Sequence, residues 1–118
     1  MSLRFKKFPV YQDAKKFAKK CSEIIQKHIK KKNPNLASQI ERAFISIVLN
    51  IAEGSAGESD ADFARFLSIS IKSANEVVAG FDLAKDLGLI TQDVLFEIET
   101  DAKGLLKQLS SFRRKLKS

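Results

Sequence analysis

Between Leu36 and Glu53 the chain places apolar side chains on almost every side of a helix, and this segment restricts the fold more than any other. Ile40, Phe44, Ile47 and Ile51 form one face, Ile45, Val48, Leu49 and Ala52 form another, and only Glu41, Arg42 and Glu53 carry charge. A helix that is apolar nearly all round must be buried nearly all round. One face suits the interior of a helical domain. The other needs a neighbour, and a second copy of the chain is the simplest candidate. Within the segment, the run Ser46-Ile47-Val48-Leu49-Asn50-Ile51-Ala52-Glu53-Gly54 sets an asparagine and a glutamate among apolar residues. An unpaired buried polar group costs roughly 1–3 kcal/mol, so partners for them are expected.

Three further segments carry the same kind of pattern. Val10, Ala14, Phe17, Cys21, Ile24 and His28 recur at alternating steps of four and three, the seam of a helix over about 9–31 that Asn33-Pro34-Asn35 ends. Helix 2 follows over about 36–53 and stops at Gly54. Ser59 with Asp62 resembles a capping box that opens helix 3 over about 60–87, with Phe63, Phe66, Ser70, Ala74, Val77, Phe81 and Ala84 turned inward and Gly88 as a left-handed cap. Thr91 caps helix 4 over about 92–117, whose seam is Leu95, Ile98, Ala102, Leu105, Leu109, Phe112 and Leu116. Four long helices and three short loops predict an all-α, up-down-up-down antiparallel four-helix bundle, one domain over residues 1–118.

Composition agrees with a water-facing globular chain. Hydrophobic residues make up 44% of its 118 positions and charged residues 30%. No apolar run approaches the roughly 18–20 residues that span a bilayer, and the basic start Met1-Ser2-Leu3-Arg4-Phe5-Lys6-Lys7 lacks a following apolar region, so neither a membrane partner nor a signal peptide is expected. Cys21 is the only cysteine, which excludes an intrachain disulfide and points to the cytoplasm.

Charge is divided unevenly. Residues 1–32 hold eleven Lys and Arg against Asp13 and Glu23, a net +9; residues 33–102 carry −8; residues 103–118 carry +6. Lys15, Lys16, Lys19, Lys20, Lys27, Lys30 and Lys31 lie opposite the seam of helix 1, and Lys103, Lys107, Arg113, Arg114, Lys115 and Lys117 cluster on helix 4. In an up-down bundle helices 1 and 4 are adjacent, so these residues predict one basic surface suited to RNA or DNA. The bland reading is a solvated face. Aromatic residues are not interleaved with the lysines, so binding is expected to be led by phosphate and not by base sequence.

Candidate chemistry is sparse. Gln39, Ser46, Asn50 and Glu53 share a narrow sector of helix 2 with Arg42, and Ser73 and Glu76 line up on helix 3; this polar motif is read as structural pairing between helices. Glu53 has a second role open to it, capping the next helix across the Gly54 turn. Cys21 and His28 stand two helical turns apart, too far for direct proton transfer, and the only histidine lacks the Glu-x-x-His spacing of bundle metal sites. Neither an enzyme nor a cofactor is expected.

One resemblance is specific. Phe8-Pro9-Val10-Tyr11-Gln12-Asp13-Ala14, Ser38-Gln39-Ile40, the run Ser46 to Gly54, Phe63-x-x-Phe66-Leu67, Ser73-x-x-Glu76 and Leu83-Ala84-x-x-Leu87-Gly88 resemble, in order and spacing, the bacterial four helix bundle protein family, also called 23S rRNA intervening-sequence proteins. Lys72 departs from it, standing where the family often has glycine at a close helix contact. The resemblance implies a homo-oligomer, with a pentamer favoured, and a distant likeness to accessory proteins of diversity-generating retroelements, which bind nucleic acid and a reverse transcriptase. It implies no enzymatic activity. The expected function is a non-catalytic homo-oligomeric bundle that binds nucleic acid non-specifically through helices 1 and 4. The alternative is an interaction scaffold or accessory subunit with a protein partner and no nucleic acid.

Overall fold

Asn33 does not merely end one helix; it starts the next. Its Oδ1 accepts the Leu36 N–H at 3.1 Å, and Pro34 occupies the first turn, where a missing N–H costs nothing. In the computed structural model, which describes residues 3–117, this gives α2 as Pro34–Ser55. It is preceded by a single 3-10 turn at Arg4–Lys7 and by α1, Pro9–Ile24, which runs on into a π turn at Ile25–Ile29. The remaining helices are α3, Asp60–Asp86, and α4, Gln92–Lys117. Among the described residues there are four long helices and no strand, the content of a four-helix bundle, in a rod of 44 × 24 × 19 Å. Met1, Ser2 and Ser118 lie outside the described residues.

The π turn corrects the expected seam of α1. The Lys30 N–H reaches back five residues to the Ile25 carbonyl at 2.9 Å, and this wider turn rotates everything after it. Val10, Ala14, Phe17 and Cys21 face the core as the spacing predicts, but Ile25 and Ile29 follow them inward in place of Ile24 and His28, which are only half-buried. The three successive steps of four from Phe17 to Ile29 exceed the 3.6-residue turn, and the π turn absorbs the excess.

The loops follow local chemistry. Ser59 Oγ accepts the Asp62 N–H at 3.1 Å and Thr91 Oγ1 accepts the Val94 N–H at 3.2 Å, so both serve as helix caps. The Asp62 carboxylate turns to Arg65 at 3.0 Å instead of completing a capping box. At the end of α3, Gly88 takes φ +76°, the Gly88 N–H bonds the Lys85 carbonyl and the Leu89 N–H bonds the Ala84 carbonyl. That pair of bonds is a Schellman closure, which requires a residue free to adopt the left-handed region.

Two glycines mark close contacts between α2 and α3. A Cβ on Gly80 would stand 2.5 Å from Ile40 Cγ1, and one on Gly54 would stand 2.7 Å from Phe66 Cβ and from Phe63 Cδ1. Between them Ser70, fully buried, donates to the Ile47 carbonyl at 2.9 Å. Lys72 is exposed and takes no part in this contact. At the end of the rod near Gly54, Phe8, Phe63 and Phe112 pack ring on ring with centroids 5.1–6.1 Å apart. Arg4 closes that end, donating twice to the Ser55 carbonyl at 3.0 and 3.1 Å while its guanidinium lies over Phe8 and Phe63.

Candidate nucleic-acid interface

On α1 the lysines recur at i, i+1 and i+4, which keeps Lys15, Lys16 and Lys19 on the outside of the helix. All three are exposed, as are Lys27 in the π turn and Lys30 and Lys31 just after it. On α4, Lys103, Lys107, Arg114, Lys115 and Lys117 are exposed too. Lys15 also lies 5.0 Å from the centre of the Tyr11 ring. Among the thirteen expected contact residues, Lys20 and Arg113 bond side chains of other helices. Lys20 Nζ pairs with Asp101 Oδ2 at 2.8 Å, and half-buried Arg113 donates to Ser68 Oγ on α3 at 3.2 Å.

Asp101 changes the state of Lys20. Its hydrogen bond holds the ammonium above the ordinary lysine pKa, against a smaller opposing effect of burial. A second bond joins the same helices: Gln108 Nε2 donates to Asp13 Oδ2 at 2.9 Å. The basic face is therefore crossed by a band in which two carboxylates already have partners, with exposed lysines on both sides.

The polar motif divides into two sets. Ser46, Asn50 and Ser73 come together: Asn50 Nδ2 donates to the Ser46 carbonyl at 2.9 Å and to Ser46 Oγ at 3.0 Å, and Ser73 Oγ donates to Ser46 Oγ at 2.8 Å. Gln39, Glu53 and Glu76 are exposed and outside this cluster. The expectation that Glu53 is enclosed beside Asn50 is thus corrected. At the end of α2 the helix has turned Glu53 outward, and the next helix is capped by Ser59 instead.

Cys21 sits fully inside, where burial pushes its thiol up to about 12, so it carries no thiolate at neutral pH. Among the described residues no three His, Cys, Asp or Glu side chains converge as a metal site, and no helix is long and apolar enough to cross a membrane. The sequence reading missed two features of the basic face. Phe8 and Phe112 share a groove with Lys107 and Lys115, although Phe8 is remote from them in the chain. Gly104, mid-helix on α4, is exposed with open space where a side chain would be. An exposed helical glycine costs about 1 kcal/mol relative to alanine, and that cost was the available signal.

Comparison with known proteins agrees with the helical architecture. Residues 6–111 match the family model of the 23S rRNA-intervening sequence protein. A crystal structure of a protein of unknown function from the S23 ribosomal protein family of Bacteroides thetaiotaomicron VPI-5482 superposes with a TM-score of 0.79 at 28% identity, covering 88% of this chain and 97% of that one. No functionally curated protein matches the sequence.

Proposed function

Because the chain belongs to the 23S rRNA-intervening sequence protein family, we propose that it is a non-catalytic, homo-oligomeric helical bundle that binds RNA or DNA through the basic face of α1 and α4. The observation that carries this reading is the exposure of eleven of the thirteen named Lys and Arg residues of α1, the turn that follows it and α4, outside the Lys20–Asp101 and Gln108–Asp13 bonds that tie the helices together. Those bonds also support an antiparallel, up-down-up-down course, since the earlier residue of α1 meets the later residue of α4. Binding through lysine and phosphate is sequence-tolerant and weakens steeply with salt.

Self-association has its own support. Ile45 and Leu49, on the outer face of α2, are 48% and 51% exposed, with half-buried Val48 and Ala52 beside them. A second copy covering this stripe answers the all-round apolarity of α2, and a ring of five is the stoichiometry the family resemblance favours. Repetition of the basic face around such a ring raises avidity for a polyanion. The same stripe favours a second reading, a scaffold whose partner is another protein.

Fluorescence-anisotropy titration with labelled RNA and DNA across a salt series tests the leading proposal. Wild-type protein should bind at low salt, and the Lys16→Glu/Lys27→Glu/Lys107→Glu variant should lose most of that affinity. Binding that ignores both salt and the three reversals contradicts it.

A further inference from the structure

Two grooves run along the α1–α4 seam and share a wall. One, of about 390 Å³, is bounded by Asp13, Lys16, Lys20 and Asp101. The other, of about 550 Å³, is bounded by Phe8, Val10, Lys107, Ser111, Phe112 and Lys115. Gly104 and Gln108 border both. Gly104 is unlike Gly54 and Gly80, because nothing lies within 4 Å of the place where its Cβ would be. No packing contact therefore requires glycine, although glycine weakens the middle of a helix. With no side chain at Gly104, only the Gln108–Asp13 bond stands between the two grooves, and together they form one trough along the seam.

The two ends of the trough differ in chemistry. At one end Phe8 and Phe112 meet edge to face at 5.4 Å, each also packed on Phe63 and Phe8 lying under Arg4, so that their half-buried remainders line the groove with Lys107 and Lys115 at the rim. The Ser111 hydroxyl there has no partner among the described residues. At the other end Lys16 is exposed, Asp101 is countered by Lys20, and Asp13 accepts from Gln108. Aromatic walls with cations at the rim suit a strand whose bases are unpaired. A duplex keeps its base faces stacked inside, so that no base can lie against such a wall.

We propose that this trough binds single-stranded nucleic acid, with bases against the Phe8–Phe112 wall and phosphates on Lys16, Lys107 and Lys115, so that the basic face prefers unpaired strands to duplex. The carboxylates of Asp13 and Asp101 accept from the exocyclic amino groups of bases that reach the far end. This inference rests on the reading that α1 and α4 bind nucleic acid, and it adds the form of the ligand.

The test compares a labelled single strand of about 16 nucleotides with its duplex, on wild-type protein, Gly104→Leu and Phe112→Leu. Leucine favours helix, so Gly104→Leu should unfold at the same or a higher temperature while filling the passage. The expected result is tighter binding of the single strand than of the duplex by wild type, with that affinity falling about tenfold in both variants and duplex affinity unchanged. Equal affinity of wild type for strand and duplex overturns the inference and leaves the basic face standing. So does single-strand binding by Gly104→Leu that equals wild type. Displacement of the strand by polyglutamate at equal charge would reassign the trough to acidic protein segments. Failure of wild type to bind either nucleic acid removes the inference together with the functional proposal beneath it.

Discussion

Along the α2–α3 seam, Gly54 and Gly80 bring two helices so close that a single added carbon would collide with the opposite one, whereas along the α1–α4 seam Gly104 looks into open space. The first seam is sealed by short side chains, Ser70 to the Ile47 carbonyl and Ser73 to Ser46. The second is spanned by long ones, Lys20 to Asp101 and Gln108 to Asp13, which hold the helices together and leave grooves between the bridges. The contrast separates two jobs that one helical pattern can hide. Short polar and glycine residues on a seam signal close packing, and long polar residues with a bare glycine signal a surface that is kept open.

Substitution at the glycines is the sharpest way to break that contrast. Gly80→Val should destabilise the fold by roughly 2–3 kcal/mol, because Ile40 cannot retreat within a filled core. Gly104→Ala should do the reverse and stabilise by about 0.5–1 kcal/mol. Urea unfolding of the two variants checks both signs, and a loss of stability in Gly104→Ala would mean that the α1–α4 seam is packed after all.

Alkaline pH separates the buried face of α1 from its exposed face. The Cys21 thiol has its folded pKa raised from 9.0 to about 12, so its stabilising contribution is complete below pH 9 and is lost as pH rises toward 12. In that window the unfolded chain releases a proton that the folded chain keeps, at most about 1.4 kcal/mol per pH unit. Lys20, raised in the folded state as well, acts in the same direction. Cys21→Ala should therefore flatten part of the fall in stability above pH 9 in denaturant titrations, even though it lowers stability at neutral pH.

Smaller effects complete the series. Ser70→Ala should cost about 1 kcal/mol by removing a buried hydrogen bond. A double-mutant cycle on Lys20 and Asp101 should give a coupling of only about 0.5 kcal/mol, since both side chains are more than a third exposed. A larger coupling than that of Ser70 would make the α1–α4 bridge a structural fastening and erase the distinction.

Much of this was legible in the chain. The 3-4 spacing of apolar residues outlined four helices, and Ser59, Gly88 and Thr91 marked their ends because caps depend on local chemistry. Membership of the 23S rRNA-intervening sequence family was readable from the Ser46–Gly54 run and its neighbours. The turn of α1 past Cys21 was not, since steps of four permit either an α or a π course until the core selects Ile25 and Ile29. Glu53 misled because a wheel drawn from sequence gives a residue's angle, not the extent of its neighbours near a helix end. The meeting of Phe8 with Lys107 and Lys115 joins the two ends of the chain, which no local pattern reports.

Amide hydrogen exchange with and without a bound single strand tests the division between the two seams most directly. That division predicts added protection in peptides from α1 around Lys16 and from α4 around Gly104 to Lys115, with none in the peptides that carry Ser46 and Ser73. Protection centred on α2 and α3, or spread evenly over all four helices, would contradict it.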